Sequence, residues 1–184
     1  MGHAHDAVTT SSRSSSAATS DRLDAVGVPR VDVRPARVGD LPRIVELARE
    51  HAEFEKAPPL SSGLEGRLEK LLFGAAHPRL RCFVADLEGV GPIGYATCSA
   101  EVSTWDGAEY LHMDCLFLRD GHRGLRLGPR LVEAVVAEAR ALGLDHVQWQ
   151  TPPWNQDAVR FYDRLGARSK EKLRFRLAVE PGDR

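Results

Sequence analysis

Lysine is scarce in this chain. Lys56, Lys70, Lys170 and Lys172 are the only lysines among 25 basic residues, so nearly all the positive charge is guanidinium. Arginine is the better planar fork for phosphate oxygens, although the bias by itself reads as background composition. Net charge is also nearly absent, at −1. A near-neutral chain offers no bulk electrostatic case for nucleic acid or a membrane surface. Cysteine is limited to Cys82, Cys98 and Cys115, an odd number without a C-x-x-C pair. That argues against a disulfide framework and fits a reduced, cytoplasmic protein. No apolar run approaches the roughly 20 residues of a membrane-spanning helix. His51, His77 and His146 lack metal-ligand spacing, so no metal is expected.

Large apolar side chains are sparse in residues 1–30, where TTSSRSSSAATS cannot bury enough surface to offset its ordering. A disordered tail is expected there, with a single domain over residues 31–180. No apolar h-region follows the start, and Arg is too sparse for an organelle-targeting peptide. His3 and His5 read as exposed.

The periodicities then define the elements. Val31 and Val33 alternate with polar residues, as in a half-buried strand. Asp40 is a good helix N-cap, and Pro42 falls in the first turn of a helix whose apolar face is Leu41, Ile44, Val45, Leu47 and Ala48. Ser62 to Glu65 has capping-box spacing and opens a second helix with Leu64, Leu68, Leu71 and Leu72 inward, ended by Gly74 and Pro78. Strands are expected over 81–87, 93–100 and 109–118. A third helix opens near Pro129 and stops at Gly143, and a short strand covers 146–150. A fourth helix runs over 155–165, with Asn155 as cap and Gly166 as stop. Lys172 to Val179 alternates and closes the sheet. The order β-α-α-β-β-β-α-β-α-β implies an α+β fold, with one mixed sheet and helices on both faces.

The chain is organised around LFLRDGHRGLRLGPRLVEAVVAEARALG, residues 116–143. It reads as strand, basic turn and amphipathic helix, with Val132, Val135, Val136, Ala139 and Leu142 on one face. The turn brings backbone N–H groups to a helix N-terminus near Arg119, Arg123, Arg126 and Arg130, a ready site for a phosphate or pyrophosphate.

Arg123-Gly124-Leu125-Arg126-Leu127-Gly128 resembles the R-G-x-G-x-G/A pyrophosphate loop of the GCN5-related N-acetyltransferases, with Arg126 where that pattern has its first glycine. Downstream, Trp154-Asn155 and Phe161-Tyr162 followed by Gly166-Ala167 resemble the W-N…F-Y…G-A segment of the spermidine/spermine acetyltransferase branch. The V-x-V-R-P-A opening and LAREHAEFEK also match, so the resemblance covers roughly residues 31 to 179. It implies transfer of an acetyl group from acetyl-coenzyme A to an amine, in a homodimer. It also implies cofactor contacts from Leu116, Phe117 and Leu118 of the strand, from the loop residues Arg123 to Gly128, and from Asn155 and Tyr162.

The chemistry needs a base and an acid. An alkyl amine with a pKa near ~10.4 is protonated at neutral pH and has no lone pair until a base removes the proton. By resemblance, Asp114 stands where the polyamine enzymes carry the glutamate proposed for that step. His112, two residues away, is the alternative, and a water can intervene. The departing thiolate calls for an acid that can donate a hydrogen bond, and by resemblance Tyr162 is the general acid. In the family a backbone N–H of the strand before the loop, here around Leu116 to Leu118, meets the developing oxyanion. Cys115 near His112 has the composition of an acyl-enzyme nucleophile but no third orienting group. Glu53, Glu55, Trp105, Asp106 and Glu109 are candidates for holding a cationic acceptor. Arg168, Lys170 and Lys172 favour an acceptor that also carries a carboxylate, such as lysine or a lysine analogue. An antibiotic-like or protein amine, or a non-catalytic acyl-coenzyme A sensor, are the competing readings.

Overall fold

The structure, a computed structural model, describes residues 30–122 and 125–179. The expected tail lies outside these residues apart from Arg30, and so do Arg123 and Gly124 of the basic turn. The elements are β1 (Val31–Pro35), α1 (Leu41–Phe54), α2 (Leu64–Phe73), β2 (Arg81–Leu87), β3 (Gly91–Ser103), β4 (Ala108–Leu118), α3 (Leu127–Ala141), β5 (Val147–Gln148) and α4 (Gln156–Arg164). One sheet runs in the order β1-β2-β3-β4-β5, antiparallel except for the parallel β4–β5 pair. The α+β class with helices on both faces is therefore as expected.

Strand alternation divides the core in two. Phe83, Ala96, Leu111 and Met113 face α3, where they pack on Leu127, Leu131 and Val135. Val84, Tyr95 and Phe117 face α1 and α2, where they meet Ile44, Leu47 and Leu72. Each of the larger side chains among them contributes about 1.5–3 kcal/mol by leaving water.

Several local readings change in detail. Asp40 precedes α1, but its side chain does not cap that helix. It accepts the Arg37 backbone N–H at 2.7 Å and takes both arms of the Arg34 guanidinium, at 2.7 and 3.0 Å. Arg34 also reaches Asp86 on β2 at 2.9 Å, so the pair fastens the helix entry to the sheet. The guanidinium holds the Asp40 carboxyl below its ordinary range. Ser62 does not cap α2; Gly63 does, in a left-handed conformation. α3 starts at Leu127, two residues before Pro129.

The expected final strand is absent. Residues 171–179 pair with no strand among the described residues. Their alternation is real, but Leu173, Phe175, Leu177 and Val179 are 84–90% exposed. A strand needs a ladder partner as well as a pattern, and a single copy of the chain supplies none here.

β4 is irregular in two respects. Thr97 pairs with Cys115 and Cys98 pairs with Met113, so Asp114 is the extra residue of a β-bulge. In addition, β4 pairs with β5 only at Leu111 and His112. From Met113 to Phe117 that edge of β4 has no strand partner among the described residues.

Candidate active site

The unpaired edge of β4 ends at the turn that leads into α3. Arg119 donates its backbone N–H to Ile93 at 3.0 Å and binds Glu50 of α1 through its guanidinium. Arg130 donates to the Val31 carbonyl at 2.9 Å and lies 3.6 Å from Asp32. Both therefore brace the fold and are not free for an anion. Arg126 has no side-chain hydrogen bond or ion pair among the described residues. Its backbone is left-handed, with φ 57°. That conformation costs an ordinary residue about 1–2 kcal/mol, which is the physical reason glycine suits this position. Two residues on, a Cβ at Gly128 would stand 3.2–3.3 Å from the Phe161 ring, so small residues there let α4 close against α3. The first N–H groups of α3 have no partner within the helix.

α4 carries Phe161 and Tyr162. Asn155 caps it by accepting the Ala158 N–H at 3.2 Å, as expected from the sequence. The Tyr162 ring lies 5.1 Å from Trp149 and 5.0 Å from Phe161. Burial, then the charges of Glu55 and Cys115, push the phenol up to about 12. It keeps its proton at any ordinary working pH.

The bulge brings Asp114 and Cys115 together, contrary to the strict alternation of a regular strand. The Cys115 thiol lies 3.6 Å from Asp114 Oδ2. Burial and the Asp114 charge push this thiol up to about 12, which leaves almost no thiolate, and only the thiolate is a good nucleophile. Beneath it, Tyr95 Oη is 3.1 Å from His51 Nδ1, and His51 Nε2 is 3.4 Å from Glu55. The His51 ring stacks on Phe117 at 5.1 Å. Burial lowers the imidazole below its ordinary value, outweighing the raising effects of Glu55 and Asp114, so His51 is neutral at neutral pH. Sequence reasoning weighed His51 only as a metal ligand and passed over Tyr95. The signal available for His51 was its i, i+4 spacing from Glu55 on α1.

The acceptor candidates separate. Glu55 faces the Tyr162 side of the site. Trp105 and Asp106 sit on the β3–β4 hairpin, and Glu109 is about 17 Å along β4 from Asp114. Trp105 is 93% exposed, with Lys172 Nζ 6.0 Å from its ring. Arg168, Lys170 and Lys172 are exposed and reach no side chain of the Tyr162 cluster. No group of three His, Cys, Asp or Glu among the described residues is placed to hold a metal. No described helix is long and apolar enough to cross a membrane.

A sheet whose fourth strand splays from the fifth beside a helix N-terminus is the frame of an acyl-coenzyme A enzyme. Residues 43–167 match the acetyltransferase (GNAT) family. The thialysine N-epsilon-acetyltransferase of Bos taurus is 30% identical over 74% of this chain and 84% of its own length. That of Caenorhabditis elegans is 31% identical over 66% and 72%. Among solved structures, the aminoglycoside N-acetyltransferase AAC(6')-Iy in complex with CoA shares the fold at a TM-score of 0.69 and 20% identity, covering 84% of this chain and 98% of that one. The chain belongs to the GNAT acetyltransferase family. It is an N-acetyltransferase that uses acetyl-coenzyme A as co-substrate.

Proposed function

We propose that this enzyme passes the acetyl group directly, without an acyl-enzyme, to a primary amine of a polyamine, a diamine or a lysine-like amino acid. The arrangement that carries the reading is a half-buried, protonated Tyr162 close enough to Cys115 to feel its charge, with Cys115 against Asp114 at the bulge of β4, where β5 no longer pairs. Thialysine acetyltransferases among the relatives support the lysine-like acceptor.

Asp114, directly or through one water, takes a proton from the incoming ammonium. The freed nitrogen attacks the thioester carbonyl, whose oxygen gathers charge against a β4 backbone N–H in the stretch Leu116 to Leu118. The carbon–sulfur bond then breaks, the second nitrogen proton moves to the departing sulfur, and an amide remains. An alkyl thiol has a pKa near ~8.5, so a phenol at about 12 is too weak an acid to protonate it outright. Tyr162 therefore acts chiefly by donating a hydrogen bond to the departing sulfur. By the motif, Arg123 to Gly128 would hold the phosphates of the co-substrate, and Asn155 its pantetheine arm. Protein incubated with acetyl-coenzyme A alone should keep its intact mass. Adding the amine should yield free N-acetylamine, and acetylated protein competent for transfer would contradict direct attack.

In this reading the strained Arg126 puts its guanidinium on a phosphate. Arg126→Gly should relieve about 1 kcal/mol of backbone strain, seen as a higher melting temperature without ligand. The same change should weaken coenzyme A binding about tenfold by titration calorimetry, the worth of one charged hydrogen bond.

The reading includes a homodimer of cytoplasmic protein with a single catalytic domain over residues 31–180. Leu173, Phe175, Leu177 and Val179 stay exposed in one copy, and the outer edge of β5 has no strand partner among the described residues. A second copy can cover both. The full chain should sediment as a dimer, and a chain ending at residue 170 as a monomer; dimers from both would separate assembly from this segment.

A further inference from the structure

The face of the sheet that bears Asp114 is covered by α1 and α2 only along part of its length. On β3 and β4 the apolar cluster of that side includes Tyr95, Cys115 and Phe117 and no residue further toward the hairpin. Beyond it the register sets polar side chains in two rows across the strands. Ser99 on β3 is opposite His112 on β4, which is opposite Gln148 on β5. One row further out, Glu101 is opposite Tyr110. The Tyr110 ring stacks on His146 at 5.5 Å, and its hydroxyl donates to Glu101 at 2.8 Å. Gln148 reaches His146 at 2.9 Å, so the outer row is braced. Ser99 and His112 have no side-chain hydrogen bond among the described residues.

The rows differ in what they can hold. Ser99, His112 and Gln148 present O–H and N–H donors, which suit a carboxylate. Glu101 presents a carboxylate, with Tyr110 occupying only one of its oxygens, which suits an ammonium. Spacing selects among amines. Two residues of strand put the His112 row about 7 Å from Asp114, and four put the Tyr110 row about 13 Å away. In an extended lysine-like chain the terminal nitrogen lies roughly 6–7 Å from the α-carbon. With its amine at Asp114, such a molecule sets its α-carbon over the His112 row. Its carboxylate then meets the donors, and its α-ammonium points toward Glu101. A short diamine leaves the donor row unused.

We propose that Ser99, His112, Gln148 and Glu101 form the head-group site for the acceptor, holding the carboxylate and ammonium of an α-amino acid whose side-chain amine reaches Asp114. The proposal rests on the small-amine acetyltransferase reading and assigns His112 to specificity instead of to proton removal.

The test compares L-lysine with cadaverine, which has the same amine spacing and no carboxylate. The readout is the ratio of their kcat/KM values. His112→Leu should lower the lysine-to-cadaverine ratio about tenfold or more, through KM for lysine. Ser99→Ala should lower it in the same direction, with less disturbance to the strand. Glu101→Gln should raise KM for both amines and leave the ratio nearly unchanged. A ratio unmoved by both His112→Leu and Ser99→Ala overturns the site, as does an equal drop in kcat for both amines in His112→Leu, the mark of a base. If the unaltered enzyme acetylates neither amine, the acceptor reading fails on its own account. Calorimetric titration of lysine into the coenzyme A-bound protein then decides this proposal. Binding that is lost in His112→Leu supports the site. Absent or unchanged binding overturns it.

Discussion

Replacing Tyr162 by Phe should lower kcat roughly 10²-fold or more while leaving the melting temperature within a few degrees. Removing one preorganised hydrogen-bond donor aimed at developing charge costs about 10²–10³ in rate, and this change removes only the hydroxyl. The ring remains between Trp149 and Phe161, so packing is preserved. Because the phenol is pushed up to about 12, the loss should be nearly constant from pH 6 to 9. A hydroxyl that titrated in that interval would produce a pH-dependent deficit instead. Steady-state rates with acetyl-coenzyme A, together with a thermal melt, read both quantities.

Asp114→Asn should produce the second large effect. At neutral pH, kcat/KM for the amine should fall about 10²-fold, the lower end of what a positioned base supplies. The deficit should shrink as pH rises toward the amine's own value near ~10.4, since the free amine then needs no base. This alkaline recovery separates proton removal from mere contact with the cation, which would be lost at every pH. Asparagine has nearly the same shape and stays in the exposed bulge, so stability should change little.

The elements were legible because most of them announce themselves locally. β2 has the bounds the alternation indicates, and Asn155 and Gly166 bracket α4 as their residue types suggest. What the pattern could not convey is non-local. The β-bulge at Asp114 arises from the pairing of β3 with β4, and no property of the segment LHMDCLFL requires it. Strict alternation would have parted Asp114 from Cys115 onto opposite faces, whereas their side chains are in contact. Lys172 to Val179 shows the reverse error. Its alternation is sound, but a strand exists only where a partner receives it. Arg119 and Arg130 lie near the loop in sequence, but the structure uses them elsewhere. Their partners, Glu50 and Val31, lie 69 and 99 residues away in sequence. Arg126 was the instructive departure. The position where the family pattern has glycine is left-handed in this chain, a conformation that suits glycine, although Arg126 stands there.

Thiol release from acetyl-coenzyme A tests the central claim most directly. Purified enzyme and its Tyr162→Phe variant would be offered lysine, thialysine, putrescine and spermidine in turn. The account predicts amine-dependent release, fastest with a lysine-like amino acid and lost in the variant. No release with any of these amines, or release that the variant performs equally well, would contradict it.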